Sequence, residues 1–230
     1  MTGRTIPLLP ALLTFIAICI LCALGAWQIQ RLEWKTNLLT HLDAEYARAA
    51  AKTNLKPADL RGDFLFKRGQ VHGTYAFNEE ILIGPRMYED AMGFHVITPL
   101  RLRDGSYLLV DRGWVPQNWT DASKRPDAAN VTGLLRRPDA ANSFTPVNHP
   151  DKNQWYNINP DEIAAAKHLD KISPYVLYAE GAARAGVYPI PQGAKPQLPN
   201  NHFFYAIFWF SMAGALLIIF ILRFKKPNAA

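Results

Sequence analysis

The chemistry this 230-residue chain can do concentrates at the head of its last apolar run, NNHFFYAIFWF (200–210). At about 100° per residue, His202, Tyr205, Trp209, Met212 and Leu216 fall on one face of a helix. An imidazole then stands at the end of the run with an aromatic and thioether wall beneath it. Neutral imidazole is a standard axial ligand for haem iron, and a flat apolar macrocycle packs well on aromatic walls. The same pattern also reads as an interfacial histidine above an aromatic belt, and the residues alone leave both readings open. A second cluster, Trp27, Arg31 and Trp34, is spaced i, i+4, i+7 near the end of the first apolar run. A guanidinium there can clamp a carboxylate such as a haem propionate, or anchor the helix between two interfacial tryptophans.

Other constellations offer less. The six histidines, at 41, 72, 95, 149, 168 and 202, include no pair at i, i+3 or i, i+4, the spacings that preassemble a metal pair on a helix. His72 and His95 fall in expected strands as partly exposed sheet residues, and His41 and His168 on solvated helix positions. Met87 and Met92 flanking a loop are the one hint of a copper site. Cys19 and Cys22 stand C-x-x-C, but inside an apolar run they read as small packing residues, since redox chemistry needs a solvent-reachable thiolate. Arg86 in GPR and Arg112 in DRGWVP are candidates for ligand or partner contact, or ties for their own turns. No nucleophile elbow, metalloprotease helix, P-loop or dinucleotide fingerprint occurs, so no enzyme is expected. The net charge of +6 is scattered, with much of the excess beside the apolar runs, which argues against nucleic-acid binding.

These side chains need two membrane helices to hold them. Phe203 to Leu222 contains no charge and no proline, and about twenty helical residues cross a ~30 Å hydrocarbon layer. Leu8 to Trp27 is equally free of charge, and its apolar core exceeds the ~7–15 residues of a signal peptide, so it too reads as a span. The expected divisions are a first membrane helix over 8–29, an extracytoplasmic β-rich domain with a leading helix over 30–199, and a second membrane helix over 203–222. Two spans put both ends on one side. Arg4, Arg223, Lys225 and Lys226 outweigh Arg31, Lys35 and Lys195, which favours cytoplasmic termini and a periplasmic middle domain. Both cysteines lie in the first span, so that domain can form no disulfide. Trp27, Arg31 and Trp34 then lie at the same membrane depth as His202.

In the middle segment, Leu32, Leu39, Leu42 and Tyr46 continue the first helix outward, and Pro57 and Gly62 close it off. Short β-like runs follow, among them GQVHGTYAF, EILIGPR, GFHVITPLRL, SYLLVDRGWVP, NVTGLLRRP and SPYVLYAEG, with RDGS (103–106) as a hairpin turn. INPDEIAAAKHL reads as a short helix, and VYPIPQGAKPQLP as an extended connector. The expected fold is an α+β membrane protein, two transmembrane helices flanking an antiparallel β domain that is barrel-like or a strongly curved sheet.

Six motifs carry a resemblance over nearly the whole chain. LGAWQIQRLEWK, GPR, GFHVITPL, LLVDRGWVP, VTGLLRRP and NNHFFYAIFWF occur in the order seen in the Surfeit-locus assembly factors of cytochrome oxidase, and the chain resembles that family. The resemblance implies a non-enzymatic role in biogenesis of haem-copper terminal oxidases, with haem a bound transiently and delivered to the large oxidase subunit. His202 would be the ligand of the haem iron, with Tyr205, Trp209, Arg31 and Trp27 around the macrocycle. Implied partners are oxidase subunit I, haem a synthase and the lipid bilayer. The alternative is a scaffold that grips an oxidase subunit without touching haem. Phe203 and Phe208 stand where the family commonly has leucine and threonine, which keeps the histidine and changes its packing. The short amino end leaves no room for an organellar transit peptide, so a bacterial member in the inner membrane is expected.

Overall fold

The first apolar run continues without a break into the polar segment after it, so that α1 spans Leu8–Ala47 in the computed structural model of the chain. Residues 8–48, 53–120, 128–182, 184, 186–192, 195 and 198–224 are described. Arg4, Lys225 and Lys226, three of the charges behind the expected orientation, lie outside them. The chain divides into two compact units, Met1–His41 with Gln197–Ala230, and Leu42–Pro196.

The first unit holds α1 as far as His41 and α3 (His202–Phe224). Both helices are long and apolar enough to cross a membrane, and protein buries only 6% and 11% of their most apolar windows. A core helix of a water-soluble protein would be mostly covered, whereas Leu13, Phe15, Phe204 and Leu222 are exposed, as suits a lipid solvent. What burial there is follows a three-four spacing. On α3, Ala206 and Ala213 are buried and His202, Trp209 and Leu216 half-buried; on α1, Gly25 and Gln28 are buried and Leu21 and Leu32 half-buried. That is the seam of a helix pair, with small residues at the crossing as membrane helices favour. Gly25 fits this seam because a Cβ on it would stand 2.7 Å from the Phe210 ring.

The second unit is built on one six-stranded sheet: β1 (Lys67–Tyr75), β2 (Ile81–Tyr88), β3 (Ala91–Arg101), β4 (Tyr107–Pro116), β5 (Ala128–Arg136) and β6 (Ile172–Ala179), in the order β1-β5-β6-β4-β3-β2. A helix, α2 (Pro160–Lys167), precedes β6; Asn159 caps it by accepting from the Glu162 N–H, and Pro160 opens it. The RDGS segment does join β3 to β4 as an antiparallel hairpin, with Gly105 at φ 78 and Asp104 accepting from the Ser106 N–H.

Two corrections apply to the expected fold. β6 inserts between β5 and β4 and runs parallel to β4, so the sheet is mixed rather than antiparallel. The sheet also does not close into a barrel. It curls far enough for β1 to pair with β3 at Thr74–Arg101 and Tyr75–Leu100, a curved sheet.

β4 and β6 are central and covered on both faces, hence their near-continuous apolar runs. Leu108, Val110, Tyr175 and Leu177 point into one cluster, with Leu100 and Val131. Leu109 and Val176, one residue out of step, point into the other with Ile83, Ile97, Trp155 and Ile163, against which α2 is laid. Within the β3–β4 ladder a bulge at Arg112 shifts the register between Val96 and Ile97. Gly113 follows it at φ 121, where a Cβ would stand 2.0 Å from the Ile190 carbonyl oxygen, so only glycine lets the Trp114–Ile190 bridge form.

Candidate functional site

His202 is the first residue of α3, and its imidazole is held from the other helix of the same unit. Nδ1 lies 2.7 Å from Oε1 of Gln28. An amide oxygen only accepts, so Nδ1 carries the proton and donates, and Nε2 is left with its lone pair. Gln28 is 9% exposed, so water does not compete for this bond. A histidine that ligates a metal characteristically has its other nitrogen fixed this way, which sets the tautomer and aims the ring. One turn outward, Asn200 donates to the Thr36 hydroxyl at 3.4 Å. Among the described residues no cluster of three or more His, Cys, Asp or Glu could chelate a bare metal ion. A lone imidazole with a free Nε2 is instead the donor set of a metal that arrives already held by a macrocycle.

The Trp27, Arg31 and Trp34 cluster forms as its spacing predicts. The guanidinium carbon lies 5.8 Å from the Trp27 ring centre and 5.0 Å from that of Trp34, a cation–π sandwich on an exposed stretch of helix. Among the described residues Arg31 makes no ion pair, so its charge is open to an acidic group. On α3 the expected face divides. Trp209 lies on the half-buried seam with His202, whereas Tyr205 and Met212, 54% and 42% exposed, stand outside it. Sequence reasoning missed Gln28. The three-four pattern Leu21, Gly25, Gln28, Leu32 marked it as the one amide on an otherwise apolar seam, but only the fold pairs it with His202.

In the second unit, each further candidate has a definite place. Arg112 is tied down: it bonds Glu80 at 3.1 Å and its guanidinium carbon lies 5.5 Å from the rings of Tyr75 and Phe77. His72 uses both ring nitrogens, on Asn130 and on Asn54. His95 bonds the 3% exposed Asp111 through Nδ1 at 2.8 Å. Arg86 donates to the carbonyls of Pro85 and Tyr156. Met87 and Met92 are cross-strand partners on β2 and β3, both exposed, with no histidine or cysteine joining them in a cluster among the described residues. Cys19 is exposed and Cys22 half-buried on α1, and His168 is the left-handed cap that ends α2.

A family model described as the SURF1 family matches residues 15–214, which takes in the whole sheet, most of α1 and the first half of α3. A SURF1-like protein of Monosiga brevicollis is 30% identical over 89% of this chain and 84% of its own length. A SURF1-like protein of the bacterium Rickettsia conorii is 25% identical over 94% of this chain and 92% of its own. Surfeit locus protein 1 of Mus musculus is 25% identical over 88% of this chain and 72% of its own length.

Proposed function

The chain belongs to the SURF1 family, and on that footing we propose that it is an assembly factor for a haem-copper terminal oxidase, one that binds haem a in passing and hands it to the large oxidase subunit. The haem is cargo, supplied by haem a synthase and released to subunit I. It has no catalytic role here, and the protein is not an enzyme. One observation carries this reading: His202 is locked by Gln28 in the tautomer that leaves Nε2 free, at the head of an apolar helix pair.

The residues fit such a cargo. His202 would supply one axial nitrogen, Trp209 an aromatic wall beside it, and Arg31, with Trp27 and Trp34 on either side, a cation for a propionate. Tyr205, exposed on the flank of α3, would meet the macrocycle edge or the client subunit. The membrane is the bacterial cell membrane, with both termini in the cytoplasm and Leu42–Pro196 in the periplasm. Arg223 in the last turn of α3 supports that orientation. A reporter active only outside the cytoplasm should work when fused near Gln117 and fail when fused after Ala230.

Full-length protein purified in detergent from cells that make haem a should carry a Soret band and yield haem a on extraction. Haem-free protein that still co-purifies with the large oxidase subunit would overturn haem handling and leave the scaffold.

A further inference from the structure

On the α2 face of the sheet lies a cavity of about 450 Å³ that haem handling does not use. Five strands meet at it. Arg86 comes from β2, His95 from β3, Asp111 from β4, Arg136 from β5 and Tyr178 from β6, and the segments around Asp139 and Tyr156 form the rim. Asp111 and Tyr178 are register partners across the parallel β4–β6 pair, and His95 is opposite Ile83 on β2. This convergence is built into the fold, because the bulge at Arg112 leaves Asp111 facing the cavity while its Oδ1 accepts from the Gly113 N–H.

The donors in this cavity outnumber the acceptors the protein gives them. Arg86 uses two N–H groups on neutral carbonyls, and among the described residues no carboxylate pairs with it. The Trp114 indole donates to the Arg86 carbonyl at 3.0 Å and so fixes that backbone. Arg136 lies 4.1 Å from the Tyr178 ring centre, and among the described residues its one ion pair, at 3.0 Å, is to Asp139, whose side chain is 89% exposed, with the Arg137 carbonyl as a further acceptor. Burial pushes the Tyr178 hydroxyl up to about 12, so it stays a neutral O–H donor, and it has no protein acceptor among the described residues. Asp111, by contrast, is spent: one oxygen on Gly113, the other on His95.

The geometry points to an oxyanion site, in which Arg86, Arg136 and Tyr178 bind the phosphate or carboxylate group of a small molecule beside the His95–Asp111 pair. Planar guanidinium forks match two-oxygen anions, and a cavity of this size takes a small metabolite but not a macromolecule.

The test uses the full chain in detergent, titrated calorimetrically with inorganic phosphate and, separately, with succinate. One of the two should bind saturably and raise the melting temperature in a dose-dependent way. Tighter phosphate binding identifies a phosphate-bearing ligand, and tighter succinate binding a carboxylate-bearing one. Arg136→Gln and Arg86→Gln should each weaken that binding about tenfold or more. Arg86 is exposed, so Arg86→Gln should keep the unliganded melting temperature and separates lost binding from lost folding. No saturable binding of either anion, or unchanged binding in Arg86→Gln and Arg136→Gln, would overturn the site. Haem does not enter the experiment, so its outcome is independent of the proposed function.

Discussion

Replacing Gln28 by leucine removes the acceptor that aims His202 while keeping the bulk of the side chain. The bond is 2.7 Å long and its acceptor residue 9% exposed, so no water takes the place of the amide oxygen. Left in place, the unpaired Nδ1–H would cost about 1–3 kcal/mol, and the ring escapes that cost by rotating or changing tautomer. Either response spoils the presentation of Nε2. Loss of such a partner behind a ligating histidine typically weakens metal binding by about 10–100-fold, equivalent to roughly 1.4–2.7 kcal/mol. The assay is a titration of detergent-solubilised, haem-free protein with haem a, followed at the Soret maximum. Gln28→Leu should shift the midpoint by that factor while the protein stays in the membrane at normal level. Gln28→Glu, which keeps an acceptor and makes the imidazole more electron-donating, should retain binding with a lower haem midpoint potential. A Gln28→Leu protein that binds haem a within about twofold of the parent would refute the idea that this hydrogen bond organises the ligand.

Other parts of the structure give sharper tests of fold than of function. Arg112→Ala should lower the melting temperature by several degrees, because it takes the guanidinium from the mostly buried Glu80 carboxylate, which keeps the Thr98 hydroxyl, at a cost of about 1–3 kcal/mol; haem content should not change, and its loss without a stability change would make Arg112 a ligand residue after all. Gly113→Ala should destabilise by about 3 kcal/mol or more, since it forces a side chain onto a left-handed backbone and against the Ile190 carbonyl; limited proteolysis will report normal resistance if the bridge to Ile190 matters little. Tyr178 sets an alkaline limit. Its folded-state value is raised to about 12 from an unfolded value of about 10, so its contribution is intact below about pH 10. Between pH 10 and 12 the unfolded chain releases a proton that the folded chain keeps, and stability falls as pH rises. Burial pushes Tyr46 up to about 12 as well, so phenolate absorbance should show two late-ionising tyrosines, and Tyr178→Phe should remove one equivalent from that late step.

How much of this could be read from the residues depended on how local each interaction is. The two long apolar helices follow from composition alone, and the strands from alternation and turn residues such as Gly105, so the strand positions agree with the structure to within a few residues. The parallel pairing of β4 with β6 did not follow. YLLVD and YVLY look alike whether their neighbours run parallel or antiparallel, and β6 reaches β4 only after β5 and some 35 further residues. Between a barrel-like and a strongly curved sheet the residues left the choice open for the same reason, because it turns on long-range pairing that no local pattern encodes; the sheet is curved. At the candidate site, His202 and the Trp27, Arg31, Trp34 sandwich were legible from helical spacing. The expected aromatic face divides about the seam: a period near 3.5 selects Ala206, Trp209 and Ala213 for the seam and leaves Tyr205 and Met212 exposed at its flank. The oxyanion cavity was invisible, since Arg86, His95, Asp111, Arg136 and Tyr178 come from five strands and share no spacing.

The most direct measurement is the haem spectrum of the His202→Ala protein, purified from haem a-making cells beside the parent and a His202→Met variant. If Nε2 of His202 binds the iron, the alanine protein should reach the membrane at normal level with its Soret band lost or shifted, because Tyr205 is a turn away and Asn200 and Asn201 are poor iron ligands. Methionine still ligates haem iron and raises its potential, so that variant should keep part of its haem with an altered spectrum and a more positive midpoint. Alanine and methionine proteins that both carry an unchanged haem spectrum at full occupancy would contradict the assignment and remove His202 from the site.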